Sequence, residues 1–134
     1  MAKEQNNSFE RAVGRRKTAS ARVRLTPGEG NIIVNEKDYK VYFPTKILQN
    51  KVLAPLLTVG KEKSLDISVK TSGGGTVGQA EAVSHGIARA LVKWNEDLKL
   101  ALRAQGFLTR DARAKERKKP GMYRARKAHQ WRKR

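Results

Sequence analysis

Residues 64–91, SLDISVKTSGGGTVGQAEAVSHGIARAL, decide the fold, because the hydrophobic period changes inside them. Leu65, Ile67 and Val69 alternate with Asp66, Ser68 and Lys70, the period of two that belongs to a half-buried strand. Gly73, Gly74 and Gly75 break that pattern. From Thr76 onward Ala80, Val83, Ile87 and Leu91 step by three and four, and Trp94 and Leu98 continue the series. That spacing predicts a long helix buried along one face.

Outward from this stretch the same two periods recur. Residues 9–25 read loosely as one strand, with Val13, Ala19, Ala21, Val23 and Leu25 inward and Ser20, Arg22 and Arg24 on a basic face. TPGEGN at 26–31 is a turn, which predicts NIIVN as the returning strand of a hairpin. Asp38 is placed to cap a short helix through DYKVYF, ended by Pro44. Thr45 is placed to cap a second helix, whose apolar face would be Ile47, Leu48, Val52 and Leu53 and whose extent Pro55 would limit. Asn95-Glu96-Asp97 marks a kink or restart of the long helix; LKLALRAQ continues it, and Gly106 is the stop. Three strands with two or three helices in mixed order predict an α+β domain over residues 1–108, helices packed against a sheet. Residues 1–8 are polar and expected to fray. Residues 109–134 are expected to form an extended basic tail with no apolar face to bury.

The 134 residues carry a formal charge of +18. Residues 114–134 hold ten basic and one acidic side chain, against 20 and 11 in residues 1–113, so the tail carries half of the excess. A field of this size acts on partners, not on fold. The chain has no cysteine, which excludes disulfide, zinc-thiolate and thiol-nucleophile chemistry. It has no run of eighteen apolar residues and no apolar leader at its N-terminus, so it is expected to work where it is made, in the cytoplasm.

Catalytic chemistry finds no constellation. The two histidines, His85 in the long helix and His129 in the tail, stand apart, and neither HExxH nor GxSxG occurs. The glycines before the helix resemble a phosphate cradle, but a P-loop requires GK[ST] where this chain has Gly78-Gln79-Ala80. A strand-to-helix turn that needs positive φ or close approach explains them better. No cofactor, metal or small-molecule substrate is expected.

Cations are a stronger signal. Arg15, Arg16, Lys17, Arg22 and Arg24 place five charges in ten residues, more than the guarding of an edge strand demands. Guanidinium forks onto phosphate oxygens, and Thr18 and Ser20 add hydroxyl donors. In the tail, Arg110, Arg113, Lys115, Arg117, Lys118 and Lys119, then Arg124, Arg126 and Lys127, are interleaved with Met122, Tyr123, His129 and Trp131, groups that stack on exposed bases. Pro120-Gly121 and the scattered apolar residues argue against an amphipathic membrane helix. The charge lies on strands and irregular segments, which suits a structured RNA better than a DNA groove read by a helix. A free RNA chaperone or nucleoid-type polycation is the competing reading.

Three stretches carry a family resemblance. GRRKTASARVRL at 14–25, GGGTVGQAEAVSHGIARAL at 73–91 and LTRDARAKERKKPGMYRARKAHQWRKR at 108–134 resemble, in order and separation, bacterial-type small-subunit ribosomal protein nine. The resemblance implies helices on one side of a roughly four-stranded sheet, of the type shared with the second domain of ribosomal protein five. It implies binding of the cations named above to the 3′ major domain of the small-subunit rRNA, in the subunit head. It also implies that the tail tip, Arg132, Lys133 and Arg134, contacts the anticodon stem-loop of P-site tRNA, with ribosomal proteins ten and fourteen as neighbours. His129 stands where the family commonly has a rigid proline, and Arg132 where it has a small hydroxyl residue, adding a charge; both departures bear on the fine geometry of the implied tRNA contact. The location implied is the cytoplasm, or the stroma or matrix if the protein is organelle-encoded.

Overall fold

The computed structural model of the chain describes residues 10–61 and 63–110; the fraying expected at 1–8 and the tail beyond Arg110 lie outside them. Strand β1 (Glu10–Arg16) pairs antiparallel with β2 (Ala19–Pro27), Arg16 opposite Ala19, through a turn at Lys17-Thr18 in which Lys17 has φ 54°. The single strand expected over 9–25 is therefore a hairpin. A two-residue turn puts Arg16 and Ala19 on the same face, so the inward parity changes from even positions in β1 to odd positions in β2. Ala12, Gly14 and Arg16 point inward, and Val13, expected inside, lies on the other face.

Strand β5 (Leu65–Ser72) pairs antiparallel with β2 and parallel with β3 (Ile32–Val34). A turn at Asn35-Glu36, both at positive φ (49° and 67°), returns β3 to the short edge strand β4 (Lys37–Asp38). The mixed sheet thus has five strands in the order β1-β2-β5-β3-β4, not the four expected. The extra strands come from the split of residues 9–25 and from the short edge piece.

The hairpin expected through TPGEGN does not form, because β5 lies between β2 and β3. Asp66 supplies the physical reason. Its carboxylate accepts the backbone N–H groups of Glu29, Gly30 and Asn31 at 3.0, 3.1 and 3.0 Å. Gly28 N–H donates to the Ser64 carbonyl at 3.0 Å, and Ile67 N–H to that of Asn31 at 2.8 Å. The loop folds around the start of β5 and delivers β3 to its far side.

Helix α1 (Tyr39–Tyr42) is capped by the Asp38 carboxylate, which accepts Lys40 N–H at 2.9 Å, as the sequence predicts. Helix α2 (Lys46–Val59) runs through Pro55 instead of stopping there. Proline forfeits one helical hydrogen bond, but its ring is buried beside Leu48, Val52 and Leu56, and that packing offsets the loss. Thr45 occupies the N-cap without a side-chain bond, and Ile47, expected on the apolar face, is 67% exposed. Helix α3 (Thr76–Trp94) follows the predicted face: Ala80, Val83, Ile87 and Leu91 are fully buried. Asn95 restarts the chain as a 3-10 turn (Glu96–Leu98), and α4 (Lys99–Ala104) ends at Gly106, φ 79°.

The helices pack on the sheet face that carries Ala21, Val23, Leu25, Ile67 and Val69. Contact between α3 and β1 is backbone to backbone. A Cβ on Gly14 would overlap the Ala82 carbonyl, and one on Gly86 would lie 2.6 Å from a Val23 methyl. Small residues at 78, 82 and 86 let the helix lie directly on the hairpin.

Candidate nucleic-acid interface

Because the core takes one parity of each strand, the other parity faces outward, and it is cationic. The register sets Arg11 beside Arg24 and Ser68, Arg22 beside Lys70, and Arg15 beside Ser20 and Ser72. Arg11, Arg15, Arg22, Arg24 and Lys70 are all exposed. Like charges placed directly opposite each other destabilise a sheet. Arg22 opposite Lys70 is a pairing that folding alone does not favour.

The edge of β1 adds to this surface. Arg89 and Lys93, one turn apart on α3, reach over the edge and donate to the Val13 carbonyl and to the Arg11 carbonyl (2.8 Å for Lys93). They blunt the edge against pairing with another chain. They also close a groove of about 350 Å³ lined by Arg11, Arg22, Arg24, Arg89 and Lys93 around Ala12, Val13 and Val23. Its lining holds five cations and no carboxylate.

The other face of the hairpin differs. Arg16, expected among the RNA-binding cations, points into the helix layer, where its Nε lies 2.6 Å from Glu81. Lys51 on α2 meets the other Glu81 oxygen at 3.1 Å. Burial pushes the Glu81 carboxyl up, but the hydrogen bonds and charges of Lys51 and Arg16 outweigh it and hold it below its ordinary value. This group ties β1, α2 and α3 together. Lys17 stands exposed at the hairpin tip, and Arg110 is exposed at the end of the described chain. A second cleft, about 270 Å³, lies beside the ion pairs and is lined by Arg15, Ser84, His85, Phe107 and Thr109 among others. Arg113, the remaining tail cations and Arg132, Lys133 and Arg134 lie outside the described residues.

Residues 14–134 match the family described as ribosomal protein S9/S16. The chain belongs to the ribosomal protein S9/S16 family. It is 50% identical over 129 residues, 96% of its length and 99% of the relative's, to a protein of Lawsonia intracellularis named small ribosomal subunit protein uS9. Proteins of the same name from Porphyromonas gingivalis and Desulfovibrio desulfuricans are 52% identical over 123 residues and 49% over 129, covering 92% and 96% of this chain and 96% and 99% of their own. S9/S16 is a family of ribosomal structural proteins, not of enzymes.

Within this S9/S16 chain the glycine segment has a structural duty. Gly73 and Gly74 have φ 78° and 61° and press against Thr18 and Ala19 at the hairpin tip. Gln79, which stands where a P-loop would have lysine, donates to the Gly73 carbonyl at 3.0 Å and accepts the Tyr42 hydroxyl at 2.6 Å. Asn35 continues the chain, donating to Tyr42 at 3.2 Å and to the Thr71 carbonyl at 3.0 Å. The described residues hold no cluster fit for a metal ion, and none of their helices is long and apolar enough to cross a membrane.

The sequence pattern did not single out Arg11, Lys70, Arg89 and Lys93 for RNA contact. The signals were present: Arg11 shares the parity of Arg15, Lys70 that of Ser68, and Arg89 and Lys93 are four apart on α3. What joins them is the strand order, which no local pattern reports.

Proposed function

We propose that the chain is a constituent of the small ribosomal subunit and binds the 3′ major domain of its rRNA, in the head, through the open sheet face and the β1-edge groove. The observation that carries this is the clustering of Arg11, Arg22, Arg24, Lys70, Arg89 and Lys93 on one surface, with Arg22 set opposite Lys70. The names of the related proteins support the small-subunit assignment. Crowded phosphates supply the counter-charge that this surface needs. Arg15, Lys17 and Arg110 extend the footprint around the hairpin tip and the start of the tail.

The tail acts as a second contact. Its cations, from Arg113 through Lys127, neutralise phosphates of rRNA helices as the tail threads between them. Arg132, Lys133 and Arg134 at the tip contact the anticodon stem-loop of P-site tRNA. Backbone contacts of this kind hold tRNA without reading its sequence. Ribosomal proteins ten and fourteen are the proposed neighbours.

Replacing Arg22 and Lys70 together by glutamine tests the reading. Binding to a head-domain rRNA fragment should weaken at least tenfold, and the slope of log affinity against log salt should fall by about 2, one for each lost cation. An unchanged salt slope would remove the sheet face from the interface. Equal affinity of the wild-type chain for rRNA and for unrelated RNA would favour the polycation reading.

A further inference from the structure

A side chain of α3 reaches the root of the basic tail. Helix α4 closes in a glycine-based cap, Gly106 N–H donating to the Arg103 carbonyl at 3.0 Å and Phe107 N–H to that of Leu102 at 3.1 Å. Beyond Phe107 the chain has left its helix. Leu108 and Phe107 are half-buried against the core, and His85 Nε2 lies 3.3 Å from the Leu108 carbonyl, 23 residues away in sequence. This hydrogen bond ties the segment that leads into the tail to the middle of α3. A carbonyl only accepts, so the proton at this contact resides on Nε2.

The surroundings favour the neutral ring. The ring is flanked by Arg89 on its own helix and Arg110 beyond the carbonyl, and it shares its cleft with Arg15 and Arg16 of β1, Lys51 of α2 and Glu81 of α3. Burial first, and then the charges of Arg89 and Arg110, hold the imidazole below its ordinary value against the opposing pull of the Leu108 carbonyl. A ring fixed in one tautomer offers a fixed donor direction. Glu81, Ser84 and His85 lie along one side of α3, so the point where the tail departs is set by the same helix that carries Arg89 and Lys93.

We propose that His85 is a positioning residue for the root of the tail: by holding the Leu108 carbonyl it sets where Leu108–Arg110 leave the domain. The inference rests on the proposed function, in which sheet face and tail engage one RNA. Two contacts joined by a well-aimed root act at a higher effective concentration than two joined loosely.

The test uses the full chain and a head-domain rRNA fragment. Wild type, His85→Ala and His85→Gln are each compared with the native tail and with Arg124, Arg126 and Lys127 changed to glutamine. With the native tail, His85→Ala should weaken binding about tenfold, and with the neutralised tail less than about twofold. His85→Gln retains an N–H donor and should recover to within about threefold of wild type. Equal losses in both tail backgrounds, or no loss with the native tail, would overturn the proposal. Amide exchange in the RNA-free protein supplies an independent arm. His85→Ala should speed exchange at the Gly106 and Phe107 amides, which close the cap beneath Leu108, while leaving Ile87 and Leu91 protected; unchanged rates at 106 and 107 would also overturn it. If wild type shows no preference for rRNA, the functional reading fails on its own, and the exchange arm still decides whether His85 holds the root.

Discussion

Gly14 shows how a single position can decide whether helix and sheet meet. Its Cα faces the Ala82 carbonyl and the Gly86 N–H, so any side chain must push α3 off the hairpin. Gly14→Ala should cost about 3 kcal/mol, the upper range for overpacking, measured by urea unfolding. A loss under about 1 kcal/mol would mean that α3 shifts at little cost. Asp66 is the second such residue. The hydrogen bond from Asn31, joined by those from Glu29 and Gly30, holds its carboxyl below the ordinary 3.8 despite partial burial. A depressed folded-state value means that the unfolded chain binds more protons, so this stability is full above the ordinary carboxylate range and lost as pH falls through the folded value. Glu81 acts in the same direction. Asp66→Asn should cost about 1 kcal/mol at pH 7, after allowing for solvent screening, and should flatten the decline in stability between pH 5 and 3. An acid limb as steep as that of wild type would show that Asp66 does not govern it. In the sequence Asp66 is one polar residue of an alternating strand, and nothing local marks it as the post around which a loop turns.

At the scale of elements, periodicity located the helices and the strands β2, β3 and β5, because the face each one buries is written in its own side chains. Leu65, Ile67 and Val69, and Ala80, Val83, Ile87 and Leu91, are buried as their spacing required. Neighbours were less legible. NIIVN is a strand, but it joins β5 because Asp66 captures the preceding loop. Pro55 does not end α2, because local propensity yields where the ring has apolar partners. The outer faces of β2 and β5 allow a prediction that separates stability from binding. Changing Arg22 and Lys70 to glutamine should leave stability unchanged or raise it by a few tenths of a kcal/mol, since like charges no longer face each other. The same variant is expected to lose rRNA affinity. A clear loss of stability would assign the two cations to the fold.

The whole molecule divides its charge by face and by segment. One side of the sheet is sealed under the helices, the other presents cations, and ten more basic residues lie in 114–134. Removing Lys133 and Arg134 should speed dissociation of P-site tRNA from reconstituted small subunits for every tRNA tested, with incorporation into the subunit unaffected. Wild-type dissociation rates would detach the tail tip from tRNA. Changing Arg22, Arg24 and Lys70 together should instead impair incorporation while leaving the free protein folded, as read by its melting temperature and by gradient sedimentation of subunits. Normal incorporation would show that the sheet face is dispensable for assembly.

The sequence by itself determined the class of most elements, the excess of positive charge and its concentration in the tail, and the absence of cysteine. These are properties of composition and of periods no longer than a few residues, so neighbouring side chains report them. Only the tertiary structure decided which strands are neighbours, that Arg16 turns inward to Glu81, and that Arg89 and Lys93 join Arg11, Arg22 and Arg24 in one groove. Those relations join residues distant in sequence, 35 apart where β3 meets β5 and 65 and 82 apart in the Arg16–Glu81 and Lys93–Arg11 contacts. At that range contacts are set by the register and crossing of packed elements, which the residues at either end do not encode alone.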